Sequence, residues 1–178
     1  MQIEQLFRRE ILNYPNVIFC PLAQEHTPLY LKWFKDPLVR KNLDKGTPFS
    51  DTDIISFVNW ATSSNRCHYS IVSYNGKPIG HAGIKGLNDV LSIAEISCVI
   101  GEREHLGSGI GIAIVTQFVK DALIQYPKLN EIVFTRLNDL PSKLFSKLGF
   151  QKKQENDWNI YSISRRQAEF IVTKCFTQ

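Results

Sequence analysis

The chain has 178 residues, with 43% hydrophobic and 21% charged, a globular balance that excludes wholesale disorder. The length fits one domain with a core large enough to need no disulfide staples. Lys and Arg total 21 against 17 Asp and Glu, a net charge of +4. That mild excess admits an anionic ligand but lacks the concentrated basic surface of a nucleic-acid binder. No apolar run reaches the ~20 residues of a membrane span, and the first residues mix charges into their apolar positions, unlike a secretory signal.

In chain order, Ile3, Leu6, Phe7, Ile11 and Leu12 recur at helical spacing and predict an N-terminal helix stopped by Pro15. Val17–Leu22 reads as a short strand. Residues 27–34 read as a helix opened by Thr27 and Pro28, and a shorter one follows Pro37. Ser50, Asp51, Thr52 and Asp53 open a third helix carrying Ile54, Ile55, Phe57, Val58 and Trp60. The pattern then changes. Cys67–Tyr74 is strand-like, Asn75-Gly76 is a hairpin signal, Pro78–Ile84 returns, and Leu91–Ile100 makes a third strand of an antiparallel meander. After glycines 107, 109 and 111, residues 110–126 show strong helical periodicity up to Pro127. Glu131–Thr135 is a strand, and Pro141–Leu148 is a short helix ended by Gly149. Gln151–Gln154 and Trp158–Ile163 form a hairpin, and Ser164–Phe176 a terminal helix. This order predicts an α+β fold with a mixed sheet; a doubly wound sheet would alternate strand and helix from the start.

The four cysteines are scattered and contain no CxxC. Cys20 and Cys98 sit in apolar runs and are expected to pack as small hydrophobes, in a reduced, cytoplasmic setting. The histidines, His26, His68, His81 and His105, form no metal-ligand spacing, so no metal is expected. Basic pairs such as Arg165-Arg166 read as solvated surface.

The most informative stretch is a strand, Ile96–Ile100, that runs through Leu106, Gly107, Ser108, Gly109, Ile110 and Gly111 into a long helix. First-turn amides of a helix lack intrahelical partners, the macrodipole is positive there, and glycine lets an anion approach the backbone. This is a cradle for a phosphate or pyrophosphate. Gly111 is followed by Ile112-Ala113 rather than Lys-Ser/Thr, which argues against a P-loop. A dinucleotide fingerprint fails too, because the third glycine falls one residue early and the loop follows a meander.

The segment Ala94–Ile100 followed by Leu106–Gly111 resembles the coenzyme-A motif of the GNAT superfamily of N-acetyltransferases, Gln/Arg-x-x-Gly-x-Gly/Ala. Gly109 and Gly111 match its glycines, and Leu106 stands where Gln or Arg is common. Asn138–Phe150 is similar to the family's Asn-x-x-Ser…Lys-x-Gly-Phe segment, and Leu31–Val39 to the N-terminal helices of its ribosomal-protein N-terminal and amino-sugar acetyltransferase-like subfamilies. The resemblance spans roughly residues 17–163. It implies one acyl-CoA N-acyltransferase domain over residues 1–178, with a mostly antiparallel central sheet flanked by helices. Residues 2–13 and 164–176 would be added helices, through which a homodimer is conceivable.

It further implies acetyl-CoA as cosubstrate and a primary amine as acceptor: a protein N-terminus, an amino sugar or another small amine. Neither nucleic acid nor membrane is implied as a partner. Cys98, Val99 and Ile100 would pair with the pantetheine arm, and the amides from Leu106 to Gly111 would hold the pyrophosphate. Asn138, Ser142 and Lys147 would contact the cofactor, with Lys143 a further candidate. Glu95, in a segment like the family's Ala-Glu-Ile, is the first candidate base, with pairing to a cation as its structural alternative; His81 is a weaker candidate. The usual thiolate-side Tyr aligns with Phe145, leaving Ser142, Tyr161 or water as the donor. That departure also keeps open a non-catalytic acyl-CoA sensor with the same fold. Trp33, Phe34, Trp60, Trp158 and Tyr161 either line an acceptor pocket or fill the core.

Overall fold

The computed structural model describes residues 9, 11–43, 50–87, 92–136, 146, 148–155 and 158–176, with only the backbone of 154, 155, 158 and 159. Strands β1 (Val17–Pro21), β2 (Cys67–Tyr74), β3 (Lys77–Lys85), β4 (Ile93–Ile100), β5 (Glu131–Arg136), β6 (Gln151–Glu155) and β7 (Trp158–Ser164) form one sheet in the order β1-β2-β3-β4-β5-β7-β6. Every neighbouring pair is antiparallel except β4 and β5. Helices α1 (Thr27–Lys35), α2 (Pro37–Arg40) and α3 (Asp51–Ser63) precede the meander, α4 (Ile110–Gln125) links β4 to β5, and α5 (Arg165–Phe176) ends the described chain.

Local chemistry sets these boundaries. Pro28 sits in the first turn of α1, where a missing N–H costs nothing. Ser50 caps α3 by accepting from the Asp53 amide. Asn75 and Gly76 take φ of 49° and 77°, the left-handed pair a two-residue hairpin needs, so Tyr74 pairs with Lys77. Of the expected N-terminal helix, Arg9 and residues 11–13 are helical and the rest lies outside the described residues, as does most of the expected helix 141–148. Gly149 takes φ 79°, as a helix stop does.

The sheet buries both faces. On one, α4 and α5 cover the larger core, built from residues such as Ile84, Ala94, Ile96, Ile114, Phe118, Ile132 and Tyr161. On the other, α1 and α3 cover a second core of Tyr30, Trp33, Phe34, Ile54, Val58, Tyr69 and Ile71. Strand alternation divides β4 between them: Ala94 and Ile96 enter the first core, and Val99 packs against the second.

Two expectations are corrected. Cys20 is exposed, on the edge strand β1; Cys67 and Cys175 are the buried thiols, and Cys98 is half-buried against the larger core. Arg165 is not a solvated surface group. Its guanidinium donates to the carbonyls of Leu123, Tyr126, Pro127 and Leu129 and pairs with Glu169. It thereby satisfies the orphan carbonyls where α4 ends and complements the negative end of that helix.

Candidate functional site

The site begins with a break in the sheet. Along β3, β4 is paired from Glu95 to Ile100. Along β5 it is paired only at Ile93↔Glu131, Ala94↔Ile132 and Glu95↔Val133. Beyond Val133, β5 keeps its pairing with β7 through Arg136. The two parallel strands therefore part after Glu95, and the ladder between β4 and β5 does not extend along Ile96–Ile100, in the middle of a seven-stranded sheet. Cys98, Val99 and Ile100 are half-buried there, although the strand is central. A strand edge that its neighbour has left offers amides and carbonyls to an extended chain carrying the same groups.

The glycine loop closes the same end. Gly107 and Gly109 take φ of 73° and 94°, conformations that L side chains resist. The amides alternate in use. Leu106 N–H donates to Arg103 O, Ser108 N–H to His105 O and Ile110 N–H to Ser108 Oγ. Those of Gly107, Gly109 and Gly111 have no hydrogen-bond partner among the described residues. A Cβ at Gly107 or Gly111 would meet nothing within 4 Å, so the space beside these amides is open. Three unpaired N–H groups at the positive end of a sixteen-residue helix fit a pyrophosphate. The loop is braced from outside by Tyr14, whose hydroxyl donates to Ser108 O at 2.7 Å and whose ring packs edge-on against Tyr74.

A second brace was invisible to sequence pattern. The segment leaving β4 is tied to α1 by Glu102, which accepts from Trp33 Nε1 at 2.8 Å and Lys32 Nζ at 2.6 Å, and by Arg103, which pairs with Asp36. Gly101 lets this happen, since a Cβ there would lie 2.3 Å from the Trp33 ring. Burial pushes the Glu102 carboxyl up, but the hydrogen bonds from Lys32 and Trp33 outweigh it and hold it below the usual carboxylate range. The partners lie about 70 residues apart in sequence, so no local spacing announces them.

Glu95 stands at the vertex where the strands part. It is Lys85's cross-strand neighbour and its carboxylate lies 3.3 Å from the Lys85 ammonium, both side chains partly exposed. It is wet and paired rather than buried in apolar surroundings. Close by, burial first and then the Cys67 thiol and the Glu95 charge push the Tyr69 phenol up. His81 is 2% exposed and faces the aromatic cluster of the second core. Burial depresses its pKa to about 3, so it is neutral. Tyr161, Trp33 and Phe34 are buried core, whereas Trp60 remains 44% exposed at the margin of Phe57 and Tyr69. Asn138, Ser142, Lys143, Phe145, Lys147 and the Trp158 side chain lie outside the described residues.

On this face the described carboxylates are largely neutralised. Asp36 pairs with Arg103, Asp51 with Lys35, Glu95 with Lys85 and Glu102 with Lys32. Among the described residues, no group of acidic, histidine and cysteine side chains could hold a metal ion, and no helix is long and apolar enough to cross a membrane.

Comparison with known proteins agrees with this geometry. Residues 16–151 match the family model described as an acetyltransferase (GNAT) domain. No curated protein matches the chain. Among solved structures, a domain from Methanocaldococcus jannaschii superposes with a TM-score of 0.68 at 23% identity, covering 83% of this chain and 97% of that one. An aminoglycoside acetyltransferase in complex with coenzyme A gives 0.72 at 17% identity, over 86% and 98%. Spermidine N-acetyltransferase from Vibrio cholerae, in complex with CoA and spermine, gives 0.70 at 14%, over 87% and 99%. At these identities the likeness is one of fold.

Proposed function

The chain belongs to the GNAT family of acetyltransferases, and from that premise we propose that it moves acetyl from acetyl-CoA to a single primary amine on an acceptor of low positive charge. Acetyl-CoA is the cosubstrate of the family, and the chain is an N-acetyltransferase. A protein N-terminus or an amino sugar is the acceptor class we favour, in keeping with the resemblance to the ribosomal-protein and amino-sugar subfamilies. The observation that carries the acceptor reading is the charge pairing on the α1–α3 face. A polyamine or aminoglycoside needs several unpaired carboxylates, and here Asp36, Asp51, Glu95 and Glu102 already hold cations. Half-exposed Trp60 and Phe57 offer apolar surface instead.

The proposed roles follow from placement. The glycine amides at 107, 109 and 111 hold the pyrophosphate, and the edge of β4 beyond its ladder with β5, with Cys98, Val99 and Ile100 at its far end, takes the amide-bearing arm. Leu106, Ser108 and Ile110 shape the loop rather than donate from it. The thioester brings an acyl group that is already activated, so the chain has to aim the amine and accept its proton. Glu95, at the vertex and partly exposed, is our candidate for that proton, with Lys85 as its ion-pair partner. Asn138, Ser142 and Lys147 remain proposed cofactor contacts, with Ser142 as candidate thiolate-side donor.

The test is thiol release from acetyl-CoA with four acceptors: a Ser-initiated peptide, glucosamine, spermine and ribostamycin. Turnover of the peptide or glucosamine, with spermine and ribostamycin inert, is the expected result. Preferential turnover of spermine or ribostamycin would overturn the acceptor reading.

A further inference from the structure

In and beside the second core, two buried polar atoms find no hydrogen-bond partner among the described residues: Tyr30 Oη and His81 Nδ1. His81 is set on β3 in register with Val99 of β4. Its ring stacks on Tyr30, with centroids 5.2 Å apart and planes 11° apart, and has Tyr69 edge-on at 5.6 Å and Phe34 at 6.2 Å. Its other nitrogen, Nε2, lies 3.3 Å from Ser97 Oγ. Ser97 is two residues past the vertex, on the stretch of β4 that β5 has left, and is half-buried. One end of this imidazole is thus enclosed by aromatic rings, and the other reaches a hydroxyl at the parting of the strands.

The ring is neutral in these surroundings. The groups packed on His81 from α1, α3 and β2 are Tyr30, Phe34, Phe57 and Tyr69, all uncharged; burial pushes both phenols up. The ion pairs on this face are Glu95–Lys85, towards the other end of the strands, and Asp36–Arg103, Asp51–Lys35 and Glu102–Lys32. A neutral imidazole carries one N–H and one lone pair. The contact with Ser97 can therefore be made in two ways: Nε2–H donating to Oγ, or, with the proton on Nδ1, Oγ–H donating to Nε2. The second keeps both lone pairs of the serine oxygen for another donor.

We propose that Ser97, locked as a donor to His81 Nε2, accepts the hydrogen bond of the acceptor's attacking amine. Ser97 is then a catalytic residue, and His81 is the positioning residue that acts through it. The inference rests on the acetyltransferase reading above. It adds no bond change to the reaction: the amine nitrogen bonds to the carbonyl carbon, the C–S bond breaks, and the amine's proton leaves towards Glu95 or the departing thiolate. Ser97 fixes which way the nitrogen lone pair points.

The experiment has two arms. Nitrogen-15 NMR of the His81 side chain reads the tautomer directly, without any acceptor. The expected result is a protonated Nδ1 and an unprotonated Nε2 from pH 5 to 9, with the Nε2 signal moved in Ser97→Ala. A protonated Nε2 overturns the proposal. In the kinetic arm, with the Ser-initiated peptide and glucosamine, Ser97→Ala should lower kcat/KM for the amine about ten- to hundred-and-fiftyfold, the span of one hydrogen bond to a nitrogen that gains positive charge in the transition state. The KM for acetyl-CoA should not move. His81→Phe, which keeps a ring but no acceptor, should match it, the double variant should be no worse, and His81→Gln should recover most of the loss. Full activity in Ser97→Ala, or additive losses in the double variant, overturns the proposal. Ser97→Ala alone decides the matter should His81→Phe fail to fold. A wild-type protein that turns over none of the amines refutes the enzyme reading, which the NMR arm does not depend on.

Discussion

The glycine cradle can be tested one amide at a time at Gly111. It is the second residue of α4, its N–H has no partner among the described residues, and a Cβ there meets nothing within 4 Å. Gly111→Ala keeps the amide and replaces the poorest ordinary helix former by the best. That exchange is worth about 0.5–1 kcal/mol. In a chain of this size it raises Tm by about 1–4 °C. Its acetyl-CoA affinity is the reference for the proline variant, because both carry a Cβ and only the alanine keeps the N–H. Gly111→Pro deletes the amide and little else, since the first turn of a helix tolerates proline, as Pro28 shows at the same position of α1. A hydrogen bond to a charged group is worth about 1.5–3 kcal/mol, so the proline variant should bind acetyl-CoA about ten- to hundred-and-fiftyfold more weakly than the alanine variant. Thermal melts by circular dichroism report the fold, and calorimetric titration with acetyl-CoA reports the site. If both variants melt cooperatively and bind acetyl-CoA within threefold of each other, the amide of Gly111 holds no phosphate and the reasoning fails.

Glu95→Gln should abolish most turnover while leaving acetyl-CoA affinity unchanged by calorimetry; full turnover would remove Glu95 as the base. Arg165→Ala strips the carbonyls of Leu123, Tyr126, Pro127 and Leu129 of their common donor and should cost about 2–4 kcal/mol in a urea titration, with Arg165→Lys recovering part, because an ammonium cannot fork to all four. Gly101→Ala, whose methyl would press on the buried Trp33 ring, should lower Tm by several degrees and weaken acetyl-CoA binding through the displaced loop. The folded pKa of Glu102 is depressed, so its contribution to stability is full above the unfolded value of about 4.3 and is lost as pH falls through the folded one. The stability gap between wild type and Glu102→Gln should therefore be constant at neutral pH and shrink below about pH 4; a gap independent of pH would mean the carboxylate's charge is not what the Lys32 and Trp33 contacts use.

What sequence could reveal divides by distance along the chain. The hairpin at Asn75-Gly76, the stop at Pro127 and the glycine loop are written in adjacent residues, because positive φ, a missing N–H and a capping hydroxyl are local demands. The β4 strand was legible as a strand for the same reason. Its parting from β5 was not, since Glu95 and Val133 look like any mid-strand pair until the registers of β3, β5 and β7 are known together. Edge and centre are equally nonlocal. Cys20 reads as core from its apolar neighbours and is exposed because β1 is the last strand of the sheet. Arg165 reads as surface from its charged neighbour and is a helix cap because α4 happens to end beside it.

The same division orders the site itself. In the site we propose, the pyrophosphate and the arm are held by backbone groups, at three glycines and one strand edge, so this part of the grip asks of the side chains only that they let the backbone bend. The side chains that distinguish this chain lie on the other face, where Glu102 fastens the exit of β4 to Trp33 and Lys32, and His81 reaches Ser97 through an aromatic shell. Among the described residues of that face, Glu95 and Glu102 are both occupied by cations, which is what led us to propose an acceptor of low positive charge. On that proposal, selection among amines rests on shape and on apolar contact at Phe57 and Trp60, and Glu95 is left to take the proton of the nitrogen that arrives.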